Sequence, residues 1–284
     1  MSTIICMKIW HKIFAMTLFL MLVPISNACT VWASVGNVNE HGGLLLAKNR
    51  DENADYVQDL VMVKPKEGYR YFALAYKLSA QDKNYQYFSS GVNEKGLVLV
   101  NTNAGIYNES HLNATAGTLQ NNILQNYASV AAVIADQKKL FAHDAPINLM
   151  LGDKNQAAIV EVTDNKYQIK SISQGYIWHT NHYVLPGLTQ YNQDTTQSSL
   201  VRYTRIGELL KAYHQKFTIA AFELFAQDKN AGDNNSILRI YTLATWIIEI
   251  PNQGTPKLYV KLFDPEQPTQ TKTLLLDQKF WQDL

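Results

Sequence analysis

The chain has 284 residues, 46% of them hydrophobic and 11% aromatic, and its formal net charge at pH 7 is +1. This composition is typical of a globular protein and excludes a disordered one. A nearly neutral chain without a basic cluster also gives no reason to expect a nucleic-acid partner.

The first 28 residues have the pattern of an export signal. Lys8 and Lys12 form a basic start, an apolar run follows at 13–23, and Pro24 breaks it before a small-x-small cleavage site at 26–28. The apolar run is shorter than the roughly 20 residues needed to span a bilayer. We therefore expect a signal peptide at 1–28 and a mature domain at 29–284, periplasmic or secreted, without stable insertion into the membrane.

Removal of the first 28 residues changes both the charge and the cysteine content. The 256 residues that remain suit one domain and carry 23 basic and 24 acidic side chains, a formal charge of −1. Cys6 is lost with the signal, so Cys29 is the one cysteine of the mature chain. A single cysteine forms no internal disulfide, and an odd thiol in an exported protein is a candidate for chemistry.

Runs of apolar residues bounded by turn formers predict strands along the first hundred residues of the mature chain. The first two strands form a hairpin around the turn formers at 36–42. From Leu119 to Ile134 apolar residues recur at steps of three and four, which predicts one amphipathic helix. The predicted strands lie at 29–35, 43–48, 60–64, 71–76, 85–90 and 97–100.

The second half of the chain again combines strands and helices. Ser198 or Ser199 is expected to cap a long helix, and a short helix is expected at 219–225. Because helices do not alternate with single strands, the order predicts antiparallel sheets covered by helices in one α+β domain. The long helix is expected to bury Leu200, Tyr203, Ile206 and Leu210, and strands are predicted at 147–151, 157–162, 167–172, 237–250, 257–263 and 272–276.

Cleavage after Ala28 would place a thiol and a free α-amine on the same residue, Cys29. An α-amine has an ordinary pKa of about 7.7–8.0 and a cysteine thiol one of about 8.5, so an adjacent amine is able to take a thiol proton near neutral pH. A nucleophile activated by an N-terminal amine is a known arrangement for acyl transfer. It also needs oxyanion donors and a group that holds the amine.

Polar residues at predicted strand ends supply candidates for these roles. Asp51 ends the second strand and is expected beside Cys29, while Asn103 and Asn181 end two later strands. Side-chain amides suit an oxyanion site because they are neutral and directional donors. Arg202, on the long helix, is a candidate for stabilising a thiolate or binding a negatively charged end of the substrate.

Five motifs in this order resemble those of the choloylglycine hydrolase family. The resemblance implies an N-terminal-nucleophile (Ntn) hydrolase with an αββα sandwich, two antiparallel sheets between layers of helices. It also implies hydrolysis of a linear amide C–N bond in a small N-acyl amide, of the penicillin V or conjugated bile-acid type. The motifs are Cys29-Thr30, Lys48-Asn-Arg-Asp51, Gly91-Val-Asn-Glu-Lys-Gly-Leu97, Thr180-Asn-His182 and Ser198-Ser-Leu-Val-Arg202.

The resemblance also assigns roles to individual residues. Cys29 matches the nucleophile and Asp51 the carboxylate that orients it. Asn103 and Asn181 match the oxyanion and amine-binding asparagines, and Arg202 matches the arginine near the thiol. A thioester on Cys29 is then the expected intermediate, and no cofactor is implied.

Lys48 departs from the bile salt hydrolase pattern, which has arginine at this position. Lysine is a point charge without a planar fork, so we expect Lys48 in substrate binding but rank conjugated bile acids last among the substrates. Arg50 is expected on the opposite face of the strand. Trp32, Tyr56 and Tyr107 are further candidates for substrate binding, as the lining of an apolar acyl pocket.

Other functions remain open. An acyltransferase of the same fold would deliver the acyl group to an amine, a non-enzymatic lipoprotein would carry a lipid on Cys29, and a cysteine protease would use a histidine as base. The candidate bases are His143, His179 and His182. His179 and His182 have no cluster of further ligands near them in the sequence, so we expect no metal site. A homo-oligomer is neither predicted nor excluded.

Overall fold

The computed structural model describes residues 28–52, 57–77, 87–104, 115–142, 146–163, 165–192, 195–264 and 267–283. In these residues the strands form two antiparallel sheets. The first sheet has the order β10 (Gly175–His179), β1 (Thr30–Val35), β2 (Leu44–Asp51), β11 (Thr242–Ile250), β12 (Lys257–Asp264) and β13 (Gln267–Leu275). The second has the order β3 (Gln58–Val63), β4 (Tyr71–Tyr76), β5 (Tyr87–Asn93), β6 (Val98–Asn103), β7 (Ile147–Asp153), β8 (Gln156–Val162) and β9 (Tyr167–Ile172).

Helices cover the outer faces of both sheets. Strands alternate their side chains between two faces, so β2 contributes Leu44 and Leu46 to the core between the sheets and Leu45 to the layer beneath α4 and α5. The second sheet packs its outer face on α1, α2 and α3. The fold is therefore the predicted αββα sandwich. The helices are α1 (Thr115–Asn126), α2 (Val130–Ala135), α3 (Gln137–Phe141), α4 (Gln197–Ala212), α5 (Ile219–Ala226), α6 (Gly232–Asn235) and α7 (Gln278–Asp283).

Several predicted elements begin or end at other residues than expected, among them the helix predicted at 119–134 and the strand predicted at 237–250. The single helix predicted over 119–134 is divided into α1 and α2, because Ser129 has an extended backbone and its side chain caps α2 by accepting from the Ala132 N–H. The strand predicted over 237–250 begins only at Thr242. Arg239 lies in the loop before it, where its charge is buried among polar partners.

The long helix α4 differs from the prediction in its cap and in its buried face. Thr196, rather than a serine, caps it by accepting from the Ser199 N–H. Leu200 is 42% exposed, whereas Ser199 and Arg202 are buried. The face turned toward the sheet is polar at this end because it contacts the functional site described below.

Gly207 allows α4 to lie close against β10. A Cβ at this position would be 2.7 Å from Cζ2 of Trp178, a distance that real Cβ atoms essentially never show. This close approach places the first turns of α4 over the ends of β1 and β10. Among the residues that the structure describes, no helix is both long and apolar enough to cross a membrane.

Candidate active site

Cys29 lies directly before β1, where three strand ends meet. Thr30 pairs with Asn49 of β2, and Val31 pairs with His179 of β10. This antiparallel register brings Cys29 next to the end of β2 and to the loop that follows β10. The thiol is buried, and its Sγ lies 4.0 Å from the backbone oxygen of Asp51.

The Asp51 carboxylate lies beside the Ala28–Cys29 peptide bond. It accepts hydrogen bonds from Thr242 Oγ1 at 2.7 Å and from Arg239 Nη1 at 3.3 Å, and the same Nη1 is 3.4 Å from the Ala28 oxygen. Burial raises the pKa of Asp51, while the charges of Arg202 and Arg239 oppose this shift. The carboxylate is thus linked through Arg239 to the carbonyl of the bond that cleavage after Ala28 would break.

Arg202 joins the nucleophile to the loop after β10. Its Nη1 donates to the Cys29 oxygen at 2.7 Å and to Thr30 Oγ1 at 2.8 Å, and its Nη2 donates to Asn181 Oδ1 at 3.1 Å. Burial lowers the pKa of this guanidinium to about 10, against the opposing charge of Asp51, so it remains a cation at neutral pH. One buried cation therefore fixes both the backbone of Cys29 and the orientation of the Asn181 amide.

The two predicted asparagines meet at the same place. Because Asn181 Oδ1 accepts from Arg202, its Nδ2 is the donor end of the amide, and it donates to the backbone oxygen of Asn103 at 3.1 Å. Asn103 thus contacts Asn181 through its backbone. The structure therefore brings together all five residues predicted to be catalytic.

The loop carrying Asn181 is held by the first turn of α4. Ser199 Oγ accepts from the Asn181 N–H at 3.0 Å and donates to Thr180 Oγ1 at 3.0 Å, while Thr180 Oγ1 also contacts the Ser199 oxygen at 3.1 Å. Thr102 of β6 donates to the Thr180 oxygen. Polar residues of β6, of the loop after β10 and of α4 thus act together to hold the Asn181 amide in place.

Lys48 reaches across the core from β2 to the second sheet. Its Nζ donates to the Ser89 oxygen at 3.0 Å and to Asn101 Oδ1 at 2.8 Å. Burial lowers the pKa of Lys48 to about 8, and the charge of Cys29 and a hydrogen bond with it act in the opposite direction. These interactions with Cys29 place the ammonium beside the thiol.

Arg50 does not lie on the opposite face from Lys48, and that prediction was wrong. Residues two apart on a strand share a face, and both side chains point toward the second sheet. Arg50 donates to Gln58 Oε1 at 3.2 Å, and its guanidinium carbon lies 4.6 Å from the centre of the Tyr76 ring. The inner face of β2 thus carries two buried cations near Cys29.

Of the three aromatic residues predicted to line an acyl pocket, the structure describes only Trp32. Trp32 is fully buried under α5, with its ring centroid 5.8 Å from that of Phe222. Its side chain belongs to the helix-facing layer, whereas Val31 belongs to the core between the sheets, so Trp32 does not line a pocket beside the thiol. Tyr56 and Tyr107 lie outside the described residues.

The histidines considered as bases have other partners. Both ring nitrogens of His179 are engaged, Nδ1 with the Thr180 oxygen at 2.7 Å and Nε2 with Glu161 at 2.8 Å. His182 Nδ1 contacts Ser199 Oγ at 2.8 Å, and burial lowers the pKa of His182 to about 4. His179 therefore offers no nitrogen to a thiol, and His143 lies outside the described residues.

Arg239 and Thr242 are site residues that the sequence analysis missed. Arg239 stands within the apolar run 237–250, and a charge in such a run needs a buried partner, here Asp51. That signal alone could have identified it, although the partner could not be read from the sequence. Among the described residues, no three His, Cys, Asp or Glu side chains cluster so as to hold a metal ion.

The two layered antiparallel sheets and the polar cluster at the start of β1 define an Ntn-hydrolase type of fold. The chain matches the model of the family described as acyl-coenzyme A:6-aminopenicillanic acid acyl-transferase over residues 38–263. It belongs to this family, and the resemblance to choloylglycine hydrolase-like proteins is confirmed. The matched region contains Asp51, Asn103, Asn181 and Arg202 but begins after Cys29.

Solved structures share the fold at low sequence identity. An N-acylethanolamine-hydrolyzing acid amidase (NAAA) ortholog from Caenorhabditis elegans is 13% identical, with a TM-score of 0.55 over 79% of this chain and 94% of that one. A variant of conjugated bile acid hydrolase from Clostridium perfringens is 14% identical, with a TM-score of 0.52 over 87% and 92% of the two chains. No curated protein sequence matches this chain significantly.

Proposed function

We propose that this protein is an exported amidohydrolase that cleaves a linear amide C–N bond through a thioester on Cys29. The observation that carries the proposal is the position of the Asp51 carboxylate. Through Arg239 it shares a donor with the carbonyl of Ala28, which supports Asp51 as the anchor of an α-amine on Cys29. Family membership and the fold of the two amide hydrolases above support the same class of reaction.

In this mechanism the α-amine of Cys29 takes the thiol proton, and the thiolate attacks the amide carbon. A C–S bond forms, and the oxyanion of the tetrahedral intermediate is stabilised by neutral amide donors such as Asn181 Nδ2. The C–N bond then breaks, and the amine leaves with the proton held by the α-amine. Water attacks the thioester, the C–S bond breaks, and a carboxylic acid and the free thiol result.

The buried cations have distinct parts in this scheme. Lys48, beside the thiol, stabilises the thiolate before attack. Arg202 does not need to touch the substrate, because it acts by holding the Cys29 carbonyl and the Asn181 amide in place. Asp51 and Arg239 likewise position the amine end of the nucleophile.

Export and signal cleavage are part of the proposal. The basic start, the apolar run and the small-x-small site at 26–28 support removal of residues 1–28, which lie, except for Ala28, outside the described residues. Cleavage at this bond would generate the α-amine that the mechanism requires. A lipid on Cys29 would instead acylate that amine and prevent catalysis.

Acyl transfer is a second candidate, favoured by the family description itself, which names an acyl-transferase. The two functions share the thioester and differ only in whether water or an amine attacks it. Adding hydroxylamine or an amino-acid amine to the reaction separates them. A transferase gives mostly acylated amine, whereas a hydrolase gives mostly free acid.

The function is tested by incubating the mature protein with penicillin V, N-acyl amides and conjugated bile acids, and measuring the released acid and amine. Cys29→Ala should abolish turnover and leave the far-UV circular dichroism unchanged, since no disulfide is lost. Cys29→Ser should lose most activity, because a hydroxyl is much harder to deprotonate than a thiol. Turnover by Cys29→Ala within about tenfold of the wild-type rate would contradict the assignment.

A further inference from the structure

Arg50 is a buried cation that the mechanism above does not use. It is only 2% exposed, and its contacts with Gln58 and Tyr76 hold the guanidinium plane in place. Its Nη2 is buried and, among the described residues, has no hydrogen-bond acceptor. A buried charged donor without an acceptor is strongly unfavourable, so this position favours a ligand that supplies one.

Two serine hydroxyls near Lys48, like Arg50 Nη2, lack a hydrogen-bond partner among the described residues. Lys48 donates to the backbone oxygen of Ser89, and within the described chain the Oγ atoms of Ser89 and Ser90 are buried without a partner. The charges that act on Lys48 are those of Cys29, Arg50 and Glu52. Among the described residues this part of the inner layer therefore contains a buried cation and two hydroxyls with donors that lack an acceptor.

The register of the first hairpin places Arg50 close to the nucleophile. Thr30 of β1 pairs with Asn49 of β2, so Cys29 and Arg50 are the next residues on the two chains. Such cross-strand neighbours have Cβ atoms roughly 5 Å apart. Cys29 and Arg50 therefore extend from neighbouring positions at this end of the hairpin, which favours contact between Arg50 and a substituent near the scissile amide.

We propose that Arg50 binds a carboxylate of the substrate, so that the enzyme prefers amides with a negative charge near the scissile bond. This inference rests on the amidohydrolase function proposed above. A guanidinium binds a carboxylate through directed, charge-assisted N–H···O bonds, and Nη2 is the donor available for one of them. The carboxylate has two sources, the amine leaving group of an acyl-amino acid or the acyl group of a dicarboxylic acid monoamide.

Two matched pairs of substrates distinguish these sources. Phenylacetylglycine and its neutral glycinamide differ by a carboxylate on the amine side, and glutaryl and pentanoyl anilides differ by one on the acyl side. The wild-type protein should prefer the charged member of one pair in kcat/KM by about 10- to 100-fold, as expected for a hydrogen-bonded ion pair. The pair that shows the preference identifies the side of the amide that Arg50 contacts.

Substitution of Arg50 then tests the residue. Arg50→Gln should remove most of the preference, mainly through a higher KM for the charged substrate, and Arg50→Lys should restore part of it. Lys170→Gln, which removes the same charge from an exposed position on β9, should keep the wild-type preference. A preference that is absent in the wild type, or unchanged in Arg50→Gln, would overturn the inference and leave the amidohydrolase function standing.

A binding measurement decides the matter independently of turnover. Calorimetry on Cys29→Ala should give a Kd for the preferred anionic ligand that rises about 10- to 100-fold when Arg50→Gln is added. Equal affinities in the two proteins, or no binding of either anionic ligand, would overturn the inference. Binding without cleavage of any of the four substrates by the wild type would instead count against the proposed reaction.

Discussion

Arg202 shows how much of this site depends on one side chain. Its buried guanidinium donates hydrogen bonds to four residues. Nη1 donates to the Cys29 oxygen and to Thr30 Oγ1, Nη2 donates to Asn181 Oδ1, and Nε donates to Ser198 Oγ. Such a forked donor is specific to arginine, because lysine offers only a point charge. The identity of this residue was predictable from the sequence motif, but its role as a bridge was not.

Asn181→Ala tests the oxyanion role at the residue scale. Because its Nδ2 is the donor end of a fixed amide, its loss should lower kcat by about 10²–10³, the usual effect of removing one oxyanion donor. Asn126, an exposed asparagine on α1, provides the control, and Asn126→Ala should leave kcat unchanged. Steady-state kinetics on the best substrate make the comparison, and a kcat for Asn181→Ala within threefold of wild type would exclude the role.

The lowered pKa of Lys48 predicts the alkaline side of the pH profile. Since this pKa is about 8, the positive charge beside the thiol is present below that pH and is lost above it. We expect kcat/KM to fall as the pH rises through about 8. Lys48→Arg keeps its charge over this range, so its profile, measured from about pH 6 to 10, should stay level to higher pH even if its rate is lower.

The control for this profile is Lys170→Arg on the exposed side of β9, which should reproduce the wild-type curve. An alkaline limb at the same pH in Lys48→Arg and wild type would show that another group titrates there. Lys48 would then have no part in stabilising the thiolate.

At the scale of elements, the turn formers and apolar runs predicted the first hairpin and the short helix α5. The bounds of β1 and α5 were predicted to within one residue, whereas β2 continues three residues beyond the predicted end at 48, to Asp51. On α4 the predicted Ile206 and Leu210 are buried but Leu200 is exposed, because the buried surface at the start of the helix includes Ser199 and Arg202 and so lacks apolar periodicity. Hydrophobic pattern identifies a core-facing side but not one that faces a polar site.

Gly207→Ala tests whether the close packing of α4 positions the site. The added methyl would collide with the Trp178 indole, a rigid ring packed between Tyr176 and Tyr203, so the helix or the ring must move. We expect a lower melting temperature and a reduced kcat, since Arg202 would shift with the helix. Thr204→Ala, at an exposed position of α4, should change neither.

If the Gly207→Ala protein is less stable but has the wild-type kcat, the close packing of α4 stabilises the fold and does not position Arg202. Arg202 would then be held by its hydrogen bonds alone. This outcome would limit the role of α4 to stability.

At the scale of the whole molecule, the fold and the membership of the family follow from a small number of ordered motifs. The sequence predicted the four layers and the five residues that converge at the start of β1. It did not reveal Arg239, because the pairing of Arg239 with Asp51 joins residues 188 positions apart. It also misplaced Trp32, since the side of the sheet that a residue of β1 faces is fixed by three-dimensional packing on α5.

The α-amine of Cys29 is the group on which the proposed function depends most. A protein whose chain begins at Cys29 should turn over substrate, whereas one that retains a single glycine before Cys29 should fold but lose about 10²–10⁴ in kcat/KM, the contribution of a general base. N-terminal sequencing of both preparations, beginning Cys29-Thr30-Val31 in the first, confirms what is compared. Equal activity of the two proteins would contradict catalysis by an N-terminal nucleophile.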